Sequence, residues 1–278
     1  PSKFTKDTKK IMIAAHMDEI GLMVSHIDEN GFVRFSSIGG VFGRYVLGGR
    51  VRFLNGVTGV IGNDRLEKVH EMPAMDKIFI DVGATSKKDC PVKVGDVAAF
   101  DRPFADMGNR LVAKSMDDRV GVLVAIETLR ALKSTPHDIY FVFTTQEEVG
   151  VRGATTSAFG IDPDLGIAID VTPAADTPHA LKMEMKLGKG PCVKIQDGGM
   201  IADPREKNKF PYQREVLLAG STDARAIQLT RAGVPAGCLS IPVRYVHSPS
   251  EMVDFADVQN SVKLLTALLR AKIDLYIS

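Results

Sequence analysis

The sequence predicts an α/β protein whose sheet domain is interrupted by a small all-β unit. Residues 21–104 consist of short apolar runs separated by turn signals such as Asn55-Gly56, a pattern typical of β-hairpins. From Asn109 onward, short apolar runs alternate with stretches of helical periodicity, which indicates a sheet with helices on both faces. We therefore expect residues 1–20 and 105–278 to form an α/β domain, with residues 21–104 inserted as a barrel or sandwich.

Composition excludes several classes of partner. The 278 residues are 45% hydrophobic, and their 35 basic and 34 acidic side chains nearly cancel, so we expect neither a nucleic acid nor a membrane as a partner. No apolar run approaches the roughly 20 residues that span a bilayer. The three cysteines, Cys90, Cys192 and Cys238, contain no Cys-x-x-Cys pair. This favours a reducing, cytoplasmic location and argues against a thiolate metal site.

Two element types alternate along the α/β domain, and their periodicity sets the expected boundaries. β-Branched and aromatic runs predict strands, and apolar positions that recur every three or four residues predict helices. The expected strands are 11–15, 110–115, 139–145, 165–169 and 237–243, and the expected helices are 120–133, 222–231 and 257–269.

Acidic residues and histidines follow five of these strands. In an open α/β sheet, ligands bind at the carboxyl ends of the strands. Any one of these placements would be unremarkable, but all of them point to the same edge of the sheet. The residues are His16, Asp117, Glu147, Glu148, Asp170 and His247.

These residue types suit a pair of divalent metal ions. Imidazoles and carboxylates are the usual non-thiol ligands of zinc, and cobalt or manganese accepts the same set. Two divalent ions would be neutralised by Asp117, Asp170, Glu148 and one hydroxide. Glu147 is then left as a free carboxylate, able to move a proton. A two-metal site polarises a substrate carbonyl and lowers the pKa of a bridging water, which predicts metal-assisted hydrolysis by a bridging hydroxide.

Asp18 supports the expected role of His16. The two residues are two apart on an extended segment, so both side chains face the same side. Asp18 can then accept a hydrogen bond from the second ring nitrogen of His16, as carboxylates do in many metal sites. We therefore place Asp18 in the catalytic machinery beside Glu147.

Five ordered motifs give the chain a family resemblance that covers nearly its whole length. It resembles the TET-type dinuclear-metal aminopeptidases, a group of deblocking, glutamyl and leucyl aminopeptidases in which some members carry an endoglucanase label. The motifs are residues 15–21 (AHMDEIG), 116–119 (MDDR), 146–150 (QEEVG), 168–172 (AIDVT) and 244–248 (RYVHS).

The resemblance implies a hydrolase that removes the N-terminal residue of peptides. It implies a zinc-peptidase α/β/α domain, interrupted by a β-barrel-like dimerisation domain, and homo-oligomers in which dimers assemble into a dodecamer. One metal would take His16, Asp117 and Asp170, and the other Asp117, Glu148 and His247. Asp117 would bridge the two ions, Glu147 would be the general base, and the peptide bond between Asp117 and Asp118 would be cis.

Two segments depart from the family pattern. The family has a longer segment before the strand that ends at His16, and a helix where Arg205 meets Glu206. We therefore expect residues to be absent at both places. The oligomer contacts and the substrate pocket depend on these segments, so the preferred N-terminal residue is not predicted.

Other interpretations remain for the motifs taken singly. Asp117-Asp118 is typical of a helix N-cap, and Gly220-Ser221-Thr222-Asp223 of a cap or an anion-binding loop. Two carboxylates could also serve a glycoside hydrolase without metal, and a non-catalytic assembly protein could keep a structural metal. The glycoside hydrolase reading leaves His16, His247 and Asp170 without a role, and a structural metal site is normally closed by four protein ligands. We expect the remaining histidines at the surface: His26, His70, His137 and His179.

Overall fold

The described part of the protein contains a mixed nine-stranded sheet and a closed six-stranded barrel. The computed structural model describes residues 8–66, 71–202 and 212–273. Elements are numbered here in chain order. Strands of the sheet are β1 (Lys10–His16), β8 (Ala105–Asp106), β9 (Arg110–Ala113), β10 (Asp138–Thr144), β11 (Leu165–Pro173), β12 (Cys192–Gln196), β13 (Gln213–Val216), β14 (Ala236–Arg244) and β15 (Glu251–Asp254). Strands of the barrel are β2 (Gly21–Ile27), β3 (Val33–Ile38), β4 (Arg50–Phe53), β5 (Thr58–Asn63), β6 (Ile78–Asp81) and β7 (Val97–Phe100).

Five α-helices accompany these strands in the described residues. They are α1 (Gly43–Val46), α2 (Met116–Ala131), α3 (Arg152–Ile161), α4 (Asp223–Gln228) and α5 (Phe255–Arg270), and a 3₁₀ turn lies at Met75–Lys77. None of the helices in the described ranges is both long and apolar enough to cross a membrane.

The central strand β1 is buried on both faces. Ile11 and Ile13 pack with apolar side chains of α2 and α5 on one face, and Met12 and Ala14 pack with α3 and α4 on the other. Successive side chains of a strand point to opposite faces, so an unbroken apolar run is required here. The predicted sheet with helices on both faces is confirmed.

Parallel pairing brings several strand ends to one edge of the sheet. β1 lies between β10 and β11, and β11 pairs with β14, all in parallel. Thr144 is opposite His16 in the register. The chain therefore carries residues that are more than 200 positions apart to the same edge, as the strand order requires.

The barrel is closed by short antiparallel strands in the order β2-β3-β6-β5-β4-β7. Asn55-Gly56 forms the turn between β4 and β5, as predicted. Gly56 has φ +89°, a conformation that costs glycine little and other residues more. The predicted α/β class with an inserted all-β unit is thus confirmed in outline.

Several predicted element boundaries were wrong. β11 continues to Pro173, so Asp170 lies within the strand and not at its end. Helix α3 and strands β12, β13 and β15 were not predicted. The join at Arg205/Glu206 lies outside the described residues.

Candidate metal centre

His16 is the last residue of β1, and its ring is buried, with 2% of the residue exposed. Its Nδ1 lies 3.2 Å from the backbone carbonyl oxygen of Asp18. Because a carbonyl can only accept, Nδ1 carries the hydrogen, and the neutral ring presents the lone pair of Nε2. That lone pair faces Oδ1 of Asp117 at 3.0 Å and Oδ1 of Asp170 at 4.0 Å. The nitrogen and the carboxylate oxygens are all hydrogen-bond acceptors, so this arrangement is unfavourable unless a proton or a cation lies between them.

His247 has the same arrangement. Its Nδ1 lies 2.9 Å from the carbonyl oxygen of Gly40, which again assigns the hydrogen to Nδ1. Its Nε2 lies 3.3 Å from Oδ2 of Asp117 and 3.5 Å from Oε2 of Glu148. Both imidazoles therefore aim Nε2 at carboxylate oxygens, and one carboxylate, that of Asp117, is common to the two sets.

Asp117 lies at the first turn of α2, outside helical geometry, with φ −75° and ψ 107°. The peptide bond between Asp117 and Asp118 is cis, as the family resemblance implied. The residue is 7% exposed. Its two oxygens face different histidines, Oδ1 toward His16 and Oδ2 toward His247. Asp117 therefore occupies the position of a bridging ligand.

Glu147 and Glu148 lie on the turn after β10. Asp18 holds this turn, because its Oδ1 and Oδ2 accept hydrogen bonds from the backbone N–H groups of Glu147 (3.2 Å) and Glu148 (3.3 Å). The Asp18 carboxylate is 3.5 Å from Nδ1 of His16, while its carbonyl is the closer partner of that ring. Both acceptors of Asp18 therefore lie within reach of Nδ1, the carbonyl oxygen at 3.2 Å and the carboxylate oxygen predicted from the sequence at 3.5 Å.

Burial and crowding dominate the electrostatics of the acids. Burial, followed by the charge of Asp170, raises the pKa of Glu147 to about 9. Burial, followed by the charge of Asp117, raises the pKa of Asp170 to about 8 and that of Glu148 to about 7. Each shift reports the cost of placing an unneutralised negative charge in this cluster. Positive charge between the carboxylates would remove that cost.

The pKa values of the two histidines are raised as well, which for an imidazole means that the charged form is favoured. Burial alone would lower the pKa of His247, but the hydrogen bond to Asp117 and the charge of Glu148 raise it to about 9. For His16, burial is likewise outweighed by hydrogen bonds to Asp117 and Asp18, so its pKa lies well above the ordinary value. In Asp117 the two imidazoles outweigh burial, and its pKa is lowered.

Two groups of side chains could each hold one cation. In each group the potential ligand atoms all lie within 4.8 Å of one another. Oε1 of Glu148 is buried and has no hydrogen-bond partner in the described structure, so a ligand oxygen is available. The nitrogen and oxygen donors suit zinc, cobalt or manganese. The groups are His16, Asp117 and Asp170, and Asp117, Glu148 and His247, and these include all five predicted ligands.

A cavity of about 1140 Å³ opens over both groups. Its lining includes Asp117, Glu147, Glu148, Asp170 and His247. Glu147 belongs to neither group, so its carboxylate is left as a free acidic group in the cavity lining. Other lining residues come from α3, α4 and the loops around them, and include Phe159, Arg225, Leu229 and Arg231.

Three features of the site were not found from the sequence. Glu251, the first residue of β15, accepts hydrogen bonds from the backbone N–H groups of Asp117 and His247. Gly40, in the barrel unit, approaches the ring of His247 so closely that an added Cβ would lie 2.4 Å from Nδ1. Lys194 lines the cavity and forms a fully buried ion pair with Glu215, 2.7 Å from Nζ to Oε1.

Only some of the histidines that were expected at the surface are exposed. His26 and His179 are exposed, and His70 lies outside the described residues. His137 contradicts the prediction, because it is 5% exposed and its Nε2 lies 2.9 Å from the carbonyl oxygen of Ala271. The chain beyond α5 covers it. Such a contact joins segments 134 residues apart, which local polarity does not reveal.

The sheet topology and the two ligand groups define an α/β protein with a candidate dinuclear metal centre. The chain belongs to the M42 glutamyl aminopeptidase family, whose model matches residues 2–264. A "Putative aminopeptidase" of Acetivibrio thermocellus is 47% identical over 270 residues, covering 92% of this chain and 81% of the relative. The lysyl aminopeptidase of Pyrococcus furiosus is 37% identical over 289 residues, covering 96% and 83%.

Solved structures agree with this assignment. The aminopeptidase APDkam598 of Desulfurococcus kamchatkensis superposes with a TM-score of 0.90 at 47% identity, covering 96% of this chain and 81% of that one. A TET1 peptidase of Pyrococcus horikoshii, described as able to form a tetrahedron or a large octahedral shell, gives 0.84 at 33% identity, covering 94% and 84%. A Thermotoga maritima protein named endoglucanase gives 0.76 at 32% identity, covering 96% and 82%.

Proposed function

We propose that this protein is a metal-dependent aminopeptidase that uses two divalent cations to hydrolyse the N-terminal peptide bond of its substrates. Membership of an aminopeptidase family supports the reaction class. The observation that carries the metal dependence is the shared geometry of the two imidazoles. Each has its Nδ1 fixed by a carbonyl and its Nε2 aimed at Asp117.

The residues that would hold the cations are the two groups that share Asp117. His16 and Asp170 complete one group, and Glu148 and His247 complete the other. Each group offers three protein ligands, which leaves positions open for water and substrate, as in catalytic sites. Bound there, divalent cations polarise the scissile carbonyl and acidify water. Zinc is the expected metal, with cobalt or manganese as alternatives.

Glu147 is the proposed general base. Its side chain faces the cavity beside both groups but belongs to neither. Its carboxylate would take a proton from the attacking water and deliver it to the nitrogen of the departing amine. Asp18 acts indirectly, because it fixes the backbone N–H groups of Glu147 and Glu148 and so sets the direction of both side chains.

Family membership supports a preference for chain ends, because the matching model is that of an aminopeptidase family. A free α-amino group is a nitrogen donor when deprotonated and a cation when protonated, and either form can interact with a site that holds cations and carboxylates. An internal peptide segment has no such group. We therefore expect hydrolysis from the N-terminus, with the N-terminal residue directed toward the walls formed by α3 and α4.

We further propose that the protein acts as a homo-oligomer, with dimers that assemble into a dodecamer. The shells formed by the TET1 peptidase of P. horikoshii support this proposal. Exposed apolar side chains of the barrel unit offer a surface for association, among them Leu54, 89% exposed, and Val94, 62% exposed. Light scattering after size exclusion distinguishes a monomer, a dimer and a dodecamer by mass.

The glycoside hydrolase alternative rests on the name of the T. maritima structure. A pair of carboxylates suffices for that chemistry. It gives no reason for two imidazoles that share one buried aspartate. The site therefore favours peptide hydrolysis, and polysaccharide is included in the test as a competing substrate.

The decisive experiment assays one preparation with and without metal. The purified protein would be stripped with a chelator, divided, and reloaded with zinc, cobalt or manganese. Each sample would meet a panel of aminoacyl anilides, the same anilides acetylated at nitrogen, and carboxymethyl cellulose. We expect cleavage of the free aminoacyl anilides alone, lost on stripping and restored by metal. Undiminished activity after stripping, or hydrolysis of cellulose, would overturn the proposal.

A further inference from the structure

Asp223 is a buried carboxylate that the proposed mechanism does not use. It is the first residue of α4, is 2% exposed, and belongs to neither group of candidate ligands. Its Oδ2 accepts a hydrogen bond from Oγ1 of Thr144 at 2.5 Å. Burying a carboxylate is costly unless it is paired and hydrogen-bonded, and Oδ1 of Asp223 has no hydrogen-bond partner in the described structure.

Helix capping does not explain this carboxylate. The N-cap of α4 is Thr222, whose side chain accepts a hydrogen bond from the backbone N–H of Ala224. A single Ser, Thr or Asn at the cap is enough to satisfy such a donor. The carboxylate of Asp223 is instead turned away from its own helix, toward Thr144 on β10.

Thr144 is the junction between the two strand ends that carry the site. It is the last residue of β10 and lies opposite His16 in the parallel register. Its carbonyl oxygen accepts a hydrogen bond from the backbone N–H of Met17 at 2.8 Å, between His16 and Asp18. Three residues further on is Glu147. A shift of Thr144 is therefore transmitted to the base and to a candidate ligand.

The turn after Thr144 has little freedom of its own. Gln146 has φ +61°, a conformation that is costly for a residue other than glycine. At Gly153, an added Cβ would lie 2.5 Å from the carbonyl oxygen of Thr145, so the start of α3 presses against the turn. Backbone contacts thus fix the turn from one side, and the side chain of Thr144 is its connection to α4.

We propose that Asp223 is a positioning residue for Glu147, which it holds in place through its hydrogen bond to Thr144. α4 also contributes to the cavity wall, so this bond ties the substrate-facing helix to the catalytic turn. The proposal rests on the proposed function, since it assigns Glu147 as the base whose position matters. A general base displaced by a fraction of an ångström loses rate while substrate binding survives.

The test uses two pairs of variants in the full-length, metal-loaded protein. Thr144→Val removes the donor with little change of shape, and Thr144→Ser keeps it. Asp223→Ala removes the acceptor, and Asp223→Asn keeps an acceptor oxygen. We expect Thr144→Val and Asp223→Ala to lower kcat by about 10- to 100-fold, the cost of a misplaced catalytic group. KM should stay within about twofold, and Thr144→Ser should return kcat to within about threefold of the original.

Matched controls separate positioning from loss of stability. Asp257 is as buried as Asp223 and holds two backbone N–H groups, but lies outside the cavity lining. Thr128 is a fully buried threonine of α2. Asp257→Ala and Thr128→Val repeat the two substitutions away from Thr144. They should leave kcat unchanged at temperatures where each variant is folded.

A double substitution and a second readout complete the test. Thr144→Val with Asp223→Ala should lower kcat no further than either alone, because both remove one interaction. Additive losses, a change confined to KM, or full kcat in Thr144→Val with its metal retained would each overturn the proposal.

Hydrogen exchange of the metal-free protein gives an answer that does not depend on activity. Amides of residues 145–151 should exchange faster in Thr144→Val and Asp223→Ala, and at the original rate in Thr144→Ser. Unchanged exchange in all variants would overturn the positioning role. Absence of peptidase activity in the unsubstituted protein would instead overturn the proposed function, so the two failures are distinguishable.

Discussion

The carboxylate of Glu251 accepts a hydrogen bond from the backbone N–H of Asp117, with 2.9 Å between Oε2 and the nitrogen. Its other oxygen accepts from the backbone N–H of His247 at 2.8 Å. One buried side chain therefore fixes the backbone of two candidate ligands that are far apart in the sequence. Neither hydrogen bond involves an atom that would coordinate a metal, so Glu251 positions the candidate ligands without being a ligand itself.

We expect Glu251→Gln to weaken metal binding by about 10- to 100-fold, the usual cost of losing a residue that orients ligands. An amide has one acceptor oxygen, so one of the two N–H groups would face an NH₂ donor. Competition with a fluorescent chelator measures the affinity. Glu127→Gln, on an exposed face of α2 where Glu127 pairs with Arg130, is the control. Equal affinities in the two variants would show that Glu251 does not hold the site.

Glu147→Gln should leave the metal content intact and lower kcat by roughly 10²- to 10⁴-fold, the usual contribution of a general base. The amide keeps the shape of the side chain but cannot take a proton. Elemental analysis and steady-state kinetics on one sample measure both quantities, with Glu127→Gln again as control. Turnover near that of the unsubstituted protein would remove Glu147 from the mechanism.

Asp117→Asn should lose at least one metal ion per subunit. Asp117 is the only residue common to both ligand groups found in the described structure, and an amide lacks the charge and the second acceptor oxygen of a bridging carboxylate. Elemental analysis of protein reloaded with excess zinc counts the ions. Asp76→Asn, at an exposed site in the barrel unit, is the control. A count of two ions in Asp117→Asn would exclude the bridging role.

Metal-free protein should lose stability as pH rises from 6 to 9. Glu148 and Asp170 have a folded pKa of about 7 and about 8, so in this range the folded state keeps protons that the unfolded state has released. His247 has a pKa of about 9 in the folded state. The stability that it contributes is fully present at pH values below the pKa of the unfolded state and is lost as pH rises through 9. Each group acts in the same direction.

Metal binding should act in the opposite direction, because cations displace these protons and bind more tightly as pH rises. The rise in Tm that zinc produces should therefore be larger at pH 9 than at pH 6. Thermal unfolding at several pH values, with and without zinc, measures both trends. A metal-free Tm that increases from pH 6 to pH 9 would contradict the assigned protonation states.

Lys194→Met should destabilise the protein by roughly 3–5 kcal/mol, the cost of leaving one member of a buried ion pair alone. Lys194 and Glu215 are both fully buried, and Thr172 donates a hydrogen bond to Oε1 of Glu215, the same oxygen that Lys194 faces. Adding Glu215→Leu to Lys194→Met should recover most of the loss, because no unpaired charge remains. Urea unfolding measures the difference. A single variant as stable as the original protein would show that water or another group compensates Glu215.

Periodicity and strand order account for what could be predicted from the sequence. The apolar run of β1 indicates a strand buried on both faces, and parallel neighbours bring strand ends to one edge. That argument is sufficient to place His16, Glu148 and His247 together. Asp117 follows β9, which runs in the same direction as β14 because two antiparallel pairings, through β15, separate them. Strand order also places Asp170 correctly, although β11 continues beyond it. The side-chain direction of Asp170 depends on its parity along the strand, which an error in the strand end does not alter.

Contacts between distant segments could not be predicted in this way. Glu251 and Gly40 meet the site only because β15 and the barrel unit dock beside it, and their sequence neighbourhoods indicate ordinary turns. Helix α3 was missed because Arg152–Ile161 is rich in glycine and threonine, which have low helix propensity. Tertiary packing stabilises it, with Ala154 and Ala158 fully buried.

The contact between Gly40 and His247 bears on how the chain can be shortened. The barrel unit is inserted between β1 and β8, and its removal looks like a simple way to obtain a smaller hydrolase. Such a truncation would take away the acceptor that holds the Nδ1 hydrogen of His247, and the ring could rotate or change tautomer. A designer would need to return one backbone carbonyl to that point in space. The loop around Gly40 is therefore the smallest part of the insertion that a miniaturised version must keep.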